Sequence, residues 1–291
     1  MSKRIFLLIL FLSLGLGVQK FCKCQTDGFT LSQIRENFSC EEVASSPPVD
    51  EVPPLLEQPF TYLGKGKQCF VFISQDKTHV LKIPNNRYQK LIAYYRFAEH
   101  LPFCASWAQK NKAYYLFKLK KTFASYQISY EELKKETGVV YTHLAEQKKA
   151  TAASLRLIDK LGITHILPRE TVAFLVQKKG KLFFPTLLQA KKEKDLPSAE
   201  KCITSFLQTE QTRCSKGISD NDPLLKCNFG FIGTEALRLD LGAFARDPSL
   251  ATEKGKKAEM GRRADSLRSW LEGNYPELIA YLDQQLAEML N

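Results

Sequence analysis

Glycines, an aliphatic residue and a lysine occur in the first third of this sequence at positions where they could bind a phosphate-bearing molecule. Gly64 and Gly66 lie in a turn between two β-prone runs, and glycines let such a turn approach phosphate groups closely. Val71 follows on the next strand, where an aliphatic side chain can rest on a nucleotide base. Lys82 stands among apolar residues of a third strand, eighteen positions after Gly64. The alternative is a simple hairpin with a surface lysine, because both features are common in ordinary sheets.

A second group of polar residues lies in the last third of the sequence. Asp220 and Asp222 belong to an acidic loop, Asn228 follows it, and a predicted hairpin around Gly233 leads to Asp240 in an Asp-Leu-Gly triplet. Carboxylate and amide oxygens are ligands for hard divalent cations, and a carboxylate can also accept a proton from a hydroxyl group. Each piece by itself is also typical of an ordinary turn or strand end. The order of the pieces therefore carries the functional prediction.

Taken together, these motifs resemble the protein-kinase-like superfamily, in particular bacterial kinase-like proteins with a segment G-I-x-D-x-D…N-F-G…D-x-G. The resemblance covers about residues 60–244. It implies an α+β, two-lobed protein-kinase-like fold, with a small antiparallel-sheet N-lobe and a reduced helical C-lobe. It also implies the use of ATP with Mg²⁺ and the transfer of a phosphoryl group to a hydroxyl acceptor.

The resemblance implies a role for each matching residue, and these roles cover the nucleotide, the metal, the acceptor and a partner for the lysine. The residues are Gly64, Gly66, Val71 and Lys82 for the nucleotide, Asn228 and Asp240 for the metal, Asp222 or Asp220 for the acceptor hydroxyl, and Glu136 or Glu146 as the acidic partner of Lys82. The acceptor itself is an unknown protein or small molecule.

The sequence departs from the kinase pattern at several points. Cys69 replaces the third glycine of the loop, and no His-Arg pair precedes the acidic loop. Five residues separate Asp222 from Asn228 and seven separate Asp220 from it, where the kinase pattern has four. Asp222 is therefore the preferred catalytic residue. About fifty residues follow Asp240 without an A-P-E segment, which leaves little room for a peptide-substrate platform.

The amino terminus has the pattern of an export signal. Lys3 and Arg4 precede an apolar run over residues 5–14, and Gly15 and Gly17 form a small-x-small pair that suits cleavage after Gly17. Residues 1–18 are therefore predicted to be a signal peptide, or a short membrane anchor if they are not cleaved. The predicted localisation is exported or secreted.

The rest of the chain is predicted to comprise three parts. Residues 19–59 are a proline-rich linker, residues 60–190 an N-lobe with a helical insertion, and residues 191–291 a reduced C-lobe with a catalytic-type loop and C-terminal helices. The predicted elements are strands over 60–63, 70–74 and 79–83, a helix over 130–161, strands over 171–176 and 181–187 with a hairpin turn at 177–180, a helix over 198–213, and two carboxy-terminal helices.

Composition and charge narrow the classes of partner. The formal charge of the 291-residue chain is +11, which favours an anionic partner. Its lysines are dispersed in short clusters, which is typical of a solvated basic face, and the sequence contains no nucleic-acid-binding signature. The eight cysteines include no C-x-x-C pair, so a zinc site is not expected.

Three interpretations of function follow from these features. The first is an exported phosphotransferase that uses Mg-ATP. The second is an inactive, pseudokinase-type binding module that retains the nucleotide site or binds a partner. The third is a basic secreted interaction protein whose motifs match the kinase pattern by accident. Intact Lys82, Asn228 and Asp240 favour the first, because a decayed kinase site tends to lose these residues.

Overall fold

The computed structural model describes residues 3–35, 53–144 and 154–290. The chain divides into two compact units. Within the described residues, the first unit comprises 3–35, 53–116, 143–144 and 154–175, and the second comprises 117–142 and 176–290. Both units contain helices and strands, so the fold is α+β and two-lobed, which confirms the predicted fold class.

Three antiparallel strands carry the glycine turn and Lys82. They are β1 (Phe60–Lys65), β2 (Cys69–Ser74) and β3 (His79–Pro84), and the sequence predicts all three. Burial along β2 has the period of two that is characteristic of a strand. Phe70 and Phe72 are buried on one face, and Val71 is half-exposed on the other.

Further α-helices and β-strands lie wholly in the first unit: α1 (Lys3–Gln25), α2 (Arg87–Ala98), β5 (Ser154–Ile158) and β6 (Thr164–Pro168). Three elements contain a unit boundary: α3 (Ala105–Glu131), β4 (Val139–His143) and β7 (Phe174–Lys178). The four-residue helix α4 (Lys134–Thr137) lies in the second unit. The first unit contains strands in the order β3-β2-β1-β5-β6. Within the described residues, no helix combines the length and the apolar character that are needed to cross a membrane.

Residues 26–35, here called the N-terminal strap, pack on the buried face of β1 and β2. The ring of Phe29 is 4% exposed and meets the rings of Phe70 and Phe72 edge-on, at centroid distances of 5.2 and 5.5 Å. Ile34 is completely buried. Part of the predicted linker thus belongs to the first unit, while residues 36–52 lie outside the described residues.

Polar contacts also hold the N-terminal strap against the sheet. The Asp27 carboxylate accepts hydrogen bonds from Tyr62 Oη at 3.0 Å and from Lys160 Nζ at 2.9 Å. The backbone carbonyl of Asp27 accepts a hydrogen bond from Lys65 Nζ at 3.0 Å. Because Lys65 lies between the two glycines of the turn, the strap also contacts the turn itself.

The predicted helix over residues 130–161 is wrong beyond Glu131. The chain instead forms α4, β4 and β5 in this region. Gly138 ends α4 in the left-handed conformation, with φ +64°, which is a common way to terminate a helix. The residues after it, Val139 to Thr142, are β-branched or aromatic and so favour a strand.

The second unit is built mainly from helices around a small sheet. Its further elements are β8 (Lys181–Leu182), α5 (Phe183–Glu193), α6 (Leu196–Ser215), β9 (Ile218–Asp220), α7 (Leu225–Asn228), β10 (Phe229–Ile232), β11 (Glu235–Arg238), β12 (Phe244–Arg246), α8 (Glu253–Asn274) and α9 (Ile279–Leu290). The predicted helix over 198–213, the hairpin around Gly233 and the two carboxy-terminal helices are confirmed as α6, β10–β11, and α8 with α9.

The predicted hairpin turn at residues 177–180 is wrong. β8 pairs with β10, and a helix rather than a strand begins at Phe183. Phe183 and Leu187 are one helical turn apart and both are fully buried, which explains the helix. Gly230 must be a glycine at this pairing, because a Cβ atom there would lie 2.2 Å from the carbonyl oxygen of Lys181.

Stability of the first unit should depend on the pH because of one buried histidine. His143 is 2% exposed, and burial, aided by the positive charge of Arg169, lowers its pKa to about 4. Since this value lies below the unfolded value of about 6.5, the folded state binds fewer protons, and stability that is present above pH 6.5 is lost as the pH falls towards 4. We expect a loss of about 3 kcal/mol in unfolding free energy over this interval from His143.

Denaturant titrations at several pH values test this expectation. His143→Gln should flatten the dependence of the unfolding free energy on pH between 6.5 and 4, whatever it does to the absolute stability. Equal slopes for the wild type and the variant would contradict the assignment.

Candidate functional site

Three predicted nucleotide-binding residues lie in one row across the first unit's sheet. Gly64 of β1 is paired with Val71 of β2, and Val71 is paired with Lys82 of β3. The register shifts just before Gly64, and the turn is closed by a hydrogen bond from Gly66 N to the Cys69 carbonyl at 2.9 Å. The side chains of Val71 and Lys82 therefore share the face of the sheet that lies opposite the buried phenylalanines.

The second unit brings together Asp222, Asn228 and Asp240. Asn228 is 4% exposed, and its side-chain amide donates a hydrogen bond to the Asp222 carbonyl at 2.8 Å. The carbonyl oxygen of Asn228 accepts hydrogen bonds from the backbone N–H groups of Leu239 at 2.7 Å and of Asp240 at 3.4 Å. One asparagine thus joins the acidic loop to the end of the β10–β11 hairpin.

Several oxygens of this group are available to a ligand. Asp240 is exposed, and one of its carboxylate oxygens accepts a hydrogen bond from Gly242 N at 3.1 Å. The half-buried Asp222 carboxylate accepts no hydrogen bond from the part of the chain that the structure describes, and the same holds for Asn228 Oδ1. Carboxylate and amide oxygens in this state suit a hard cation or a hydroxyl donor.

Asp220 is in a different environment from Asp222. Its carboxylate is buried and forms ion pairs with Arg238 and with Arg263, the latter at 3.2 Å. It also accepts a hydrogen bond from the backbone N–H of Asp222 at 3.0 Å. Burial raises the pKa of Asp220 above its ordinary value, against the opposing charges of the two arginines. The arrangement of Asp220 is that of a structural ion pair rather than of an open carboxylate.

Asp220 belongs to a buried charge network that the sequence analysis missed. The network contains three acids and three arginines, so its formal charges cancel, and no member's side chain is more than 7% exposed. Its members are Glu210, Arg213, Asp220, Arg238, Glu259 and Arg263. The spacings Glu210–Arg213 and Glu259–Arg263 on helices, among buried apolar positions, are the signal that could have revealed it.

Short contacts to two arginines stabilise the charge on Glu210. Its carboxylate lies 2.7 Å from Arg213 Nη2 and 3.0 Å from Arg263 Nε. Burial alone would raise the pKa of Glu210, but the charges of Arg213 and Arg263 lower it below its ordinary value. Glu210 therefore remains ionised inside the second unit.

The arginines of the network hold the backbone of the acidic loop. Arg213 donates a hydrogen bond to the Ile218 carbonyl at 2.6 Å, and Arg263 contacts the Asp220 carbonyl at 3.4 Å. Arg238 reaches the Asp222 carbonyl at 3.3 Å. The network therefore fixes the loop that carries Asp222.

Ser125 on α3 fixes the segment that follows Asp240. The Ser125 hydroxyl is buried, donates a hydrogen bond to the Leu241 carbonyl and accepts one from Phe244 N at 2.8 Å. No sequence signal distinguishes this serine from others on the helix. It holds the backbone on the carboxy-terminal side of Asp240.

Of the two predicted partners of Lys82, the structure describes Glu136 only. Glu136 lies in α4 of the second unit, where its carboxylate is 3.9 Å from Lys216 Nζ. Glu146 lies outside the described residues. Neither glutamate is assigned to Lys82 by these positions.

A cavity of about 550 Å³ adjoins the acidic loop on the surface of the second unit. Asp220 lines it together with Asn221 and Pro223, the two chain neighbours of Asp222, and Lys226 and Arg262 contribute further surface. This volume is within the range of small-molecule sites.

Comparison with known proteins gives no family assignment. No family model matches this chain, and no curated protein matches it significantly. Among solved structures, the chain is similar to Rv3197 of Mycobacterium tuberculosis, described in a complex with erythromycin, with 13% sequence identity and a TM-score of 0.35. The match covers 79% of this chain and 55% of Rv3197, so this chain spans about half the length of that protein. The structural similarity is weak and carries no conclusion about function.

Proposed function

We propose that this protein binds Mg-ATP and transfers a phosphoryl group to a hydroxyl acceptor, as its resemblance to the protein-kinase-like superfamily implies. The observation that carries the proposal is the pair of contacts made by Asn228. Its side chain bonds the Asp222 backbone, and its carbonyl bonds the backbone of Asp240. In protein kinases, residues of these types at the same places in the motif order position the acceptor and hold the metal.

The nucleotide half of the proposal is supported by the row of paired residues in the first unit. In kinases a glycine-rich loop covers the phosphates, and a lysine on the third strand contacts them. Here Gly64, Val71 and Lys82 are direct neighbours across β1, β2 and β3. Cys69 in place of the third glycine does not disturb this register.

Asn228 and Asp240 would hold Mg²⁺. Among the described residues, no cluster of three or more His, Cys, Asp or Glu side chains could bind a metal ion by itself. A site with one carboxylate and one amide nevertheless fits Mg²⁺, which usually completes its coordination with water and phosphate oxygens. When bound, the ion supplies positive charge that neutralises the phosphates.

Asp222 would orient the acceptor hydroxyl and accept its proton. Its carboxylate accepts no hydrogen bond from the described residues, whereas that of Asp220 pairs with two arginines. Its chain neighbours Asn221 and Pro223, and also Asp220, line a cavity with room for a small acceptor. Because the amino terminus has the pattern of an export signal, the protein would act after export, or at a membrane if the signal is retained.

A second candidate function is nucleotide binding without transfer. No His-Arg pair precedes the acidic loop, and five residues instead of four separate Asp222 from Asn228, so two features of the active-kinase motif differ in this chain. This observation favours a pseudokinase-type binding module. An assay of phosphoryl transfer distinguishes the two candidates, because only the first predicts transfer.

Thermal stabilisation by Mg-ATP tests the nucleotide site. At a hundred times its dissociation constant, Mg-ATP should raise the free energy of unfolding by about 2.7 kcal/mol. Lys82→Ala should weaken ATP binding, because it removes the charge expected at the phosphates. Asp240→Asn should weaken the dependence of ATP binding on Mg²⁺, because a neutral amide is a poorer ligand for a hard cation.

Matched controls are Lys110→Ala on the first unit and Asp265→Asn on the second, both at exposed positions. These variants should bind Mg-ATP like the wild type. A folded wild-type protein that shows no stabilisation at millimolar Mg-ATP would rule out both candidate functions in their nucleotide-binding form.

A further inference from the structure

The hairpin formed by α2 and α3 exposes a group of large apolar side chains, here called the aromatic patch. Its six members are each at least 43% exposed, and they all belong to the first unit. They are Tyr94, Phe97, Leu101, Phe103, Trp107 and Tyr114. Single exposed apolar residues are ordinary, but a group of this kind marks an interaction surface.

Contacts beneath the aromatic patch join its two helices into one surface. The ring of Tyr95, which is 9% exposed, lies 5.2 Å from the rings of both Tyr94 on α2 and Trp107 on α3. Tyr95 also stacks on Tyr115 at 5.7 Å. Ala98 and Ala108 are buried in the same small cluster, so the helices pack through Tyr95, Tyr115 and small residues.

The spacing of the exposed residues matches the helical repeat. Tyr94 and Phe97 are three positions apart on α2, and Leu101 continues the same stripe just beyond the helix. Trp107 and Tyr114 are seven positions apart and so lie on one face of α3. Each helix therefore contributes two exposed aromatic rings on one of its faces.

Phe103 forms the tip of the hairpin. It lies between α2 and α3 with φ +67°, a conformation that a bulky side chain rarely adopts, and its side chain is fully exposed to solvent. A ring presented in this way projects from the surface and does not line a groove.

The hairpin that carries the aromatic patch is strongly basic. Residues 87–116 contain five arginines and lysines and one acidic residue, which gives a charge of 5 − 1 = +4 with histidine neutral. The single acid, Glu99, is itself paired with Lys112. The surface therefore complements an anionic partner.

We propose that the aromatic patch binds the surface of an anionic lipid bilayer. Tryptophan and tyrosine rings favour the boundary between lipid head groups and acyl chains, and basic residues beside them add attraction to acidic lipids. The projecting ring of Phe103 suits insertion into a bilayer better than it suits a protein pocket. This inference is independent of the proposed phosphoryl transfer.

Sedimentation of the full chain with vesicles tests the proposal. The protein should bind phosphatidylcholine vesicles that contain phosphatidylserine, bind poorly to phosphatidylcholine alone, and dissociate as the salt concentration rises. The double substitution Phe103→Ser with Trp107→Ser should weaken binding at least about tenfold, because it removes two rings from the interface. Ile166→Ser, at a position 67% exposed on β6, is the matched control and should bind like the wild type.

Every one of these variants retains α1, so a difference between them reports on the hairpin rather than on the apolar amino terminus. Equal binding by the wild type and the double variant would overturn the proposal, and so would equal binding to neutral and acidic vesicles.

Fluorescence gives a second readout that does not require the double variant to fold. The chain has two tryptophans, and Trp270 stacks on Phe184 at 4.3 Å, so Trp270→Phe keeps an aromatic ring there and leaves Trp107 as the only reporter. Its emission should shift to shorter wavelength with acidic vesicles. A shift with soluble polyglutamate and none with vesicles would indicate an acidic protein partner and would overturn the proposal.

Discussion

Asp222→Asn should reduce the rate of phosphoryl transfer by about 100-fold or more while leaving ATP binding nearly unchanged. The physical reason is that the Asp222 carboxylate, which accepts no hydrogen bond from the described residues, is the group available to take a proton from the acceptor. An amide of the same shape can orient a hydroxyl but is not a base. The measurement is transfer of labelled phosphate to a generic acceptor or to the protein itself, together with the thermal shift in Mg-ATP.

The matched substitution Asp220→Asn should act on stability instead. It leaves the buried guanidinium groups of Arg238 and Arg263 facing a neutral amide in place of their ion-pair partner, so we expect the free energy of unfolding to fall by about 3–5 kcal/mol. Full activity in Asp222→Asn, with activity lost and stability unchanged in Asp220→Asn, would show that Asp220 is the catalytic residue. Tight nucleotide binding without transfer by the wild type would favour the pseudokinase-type function.

Glu210→Gln should lower the free energy of unfolding by about 3–5 kcal/mol at neutral pH. The substitution keeps the shape of the side chain but leaves Arg213 and Arg263 facing a neutral group inside the second unit. Because the folded pKa of Glu210 is lowered, its contribution is present above the unfolded value of about 4.3 and is lost as the pH falls through the folded value. The stability difference between wild type and variant should therefore shrink in acid.

Arg262→Gln is the control for this prediction. Arg262 pairs with Glu259 of the same network, but its side chain is 72% exposed, so its removal should cost less than about 1 kcal/mol. Denaturant unfolding of both variants at neutral and acidic pH gives the comparison. Similar small losses for Glu210→Gln and Arg262→Gln would mean that the buried network contributes little to stability.

The local parts of the fold could be predicted because local patterns determine them. Short β-prone runs separated by turns indicated β1 to β3, and the helix predicted over residues 198–213 matches α6, which begins two residues earlier, at Leu196, where Asp195 accepts a hydrogen bond from Ser198 N at 3.1 Å. The candidate site residues followed from motif order. The helix predicted over residues 130–161 failed because helix-compatible composition outweighed the β-branched run after Gly138.

The supporting residues of the site could not be predicted in the same way. Charged residues are normally exposed, so no local sequence pattern indicates that Glu210 and Arg263 are buried against each other. The two residues lie on helices that are far apart in the sequence. Ser125 contacts Leu241 across 116 positions of sequence. Long-range packing, and not residue type, gives these side chains their roles.

The N-terminal strap has a practical consequence for where a recombinant chain should begin. A truncated chain that starts at Phe60 would lack Phe29, which packs on Phe70 and Phe72. The two rings would become exposed to water, and exposed apolar surface of this kind promotes aggregation during purification. It would also release Lys65 beside the glycine turn from the Asp27 carbonyl. A chain that starts just after Gly17 keeps both contacts, and an affinity tag is therefore better placed at the carboxy terminus or ahead of residue 18.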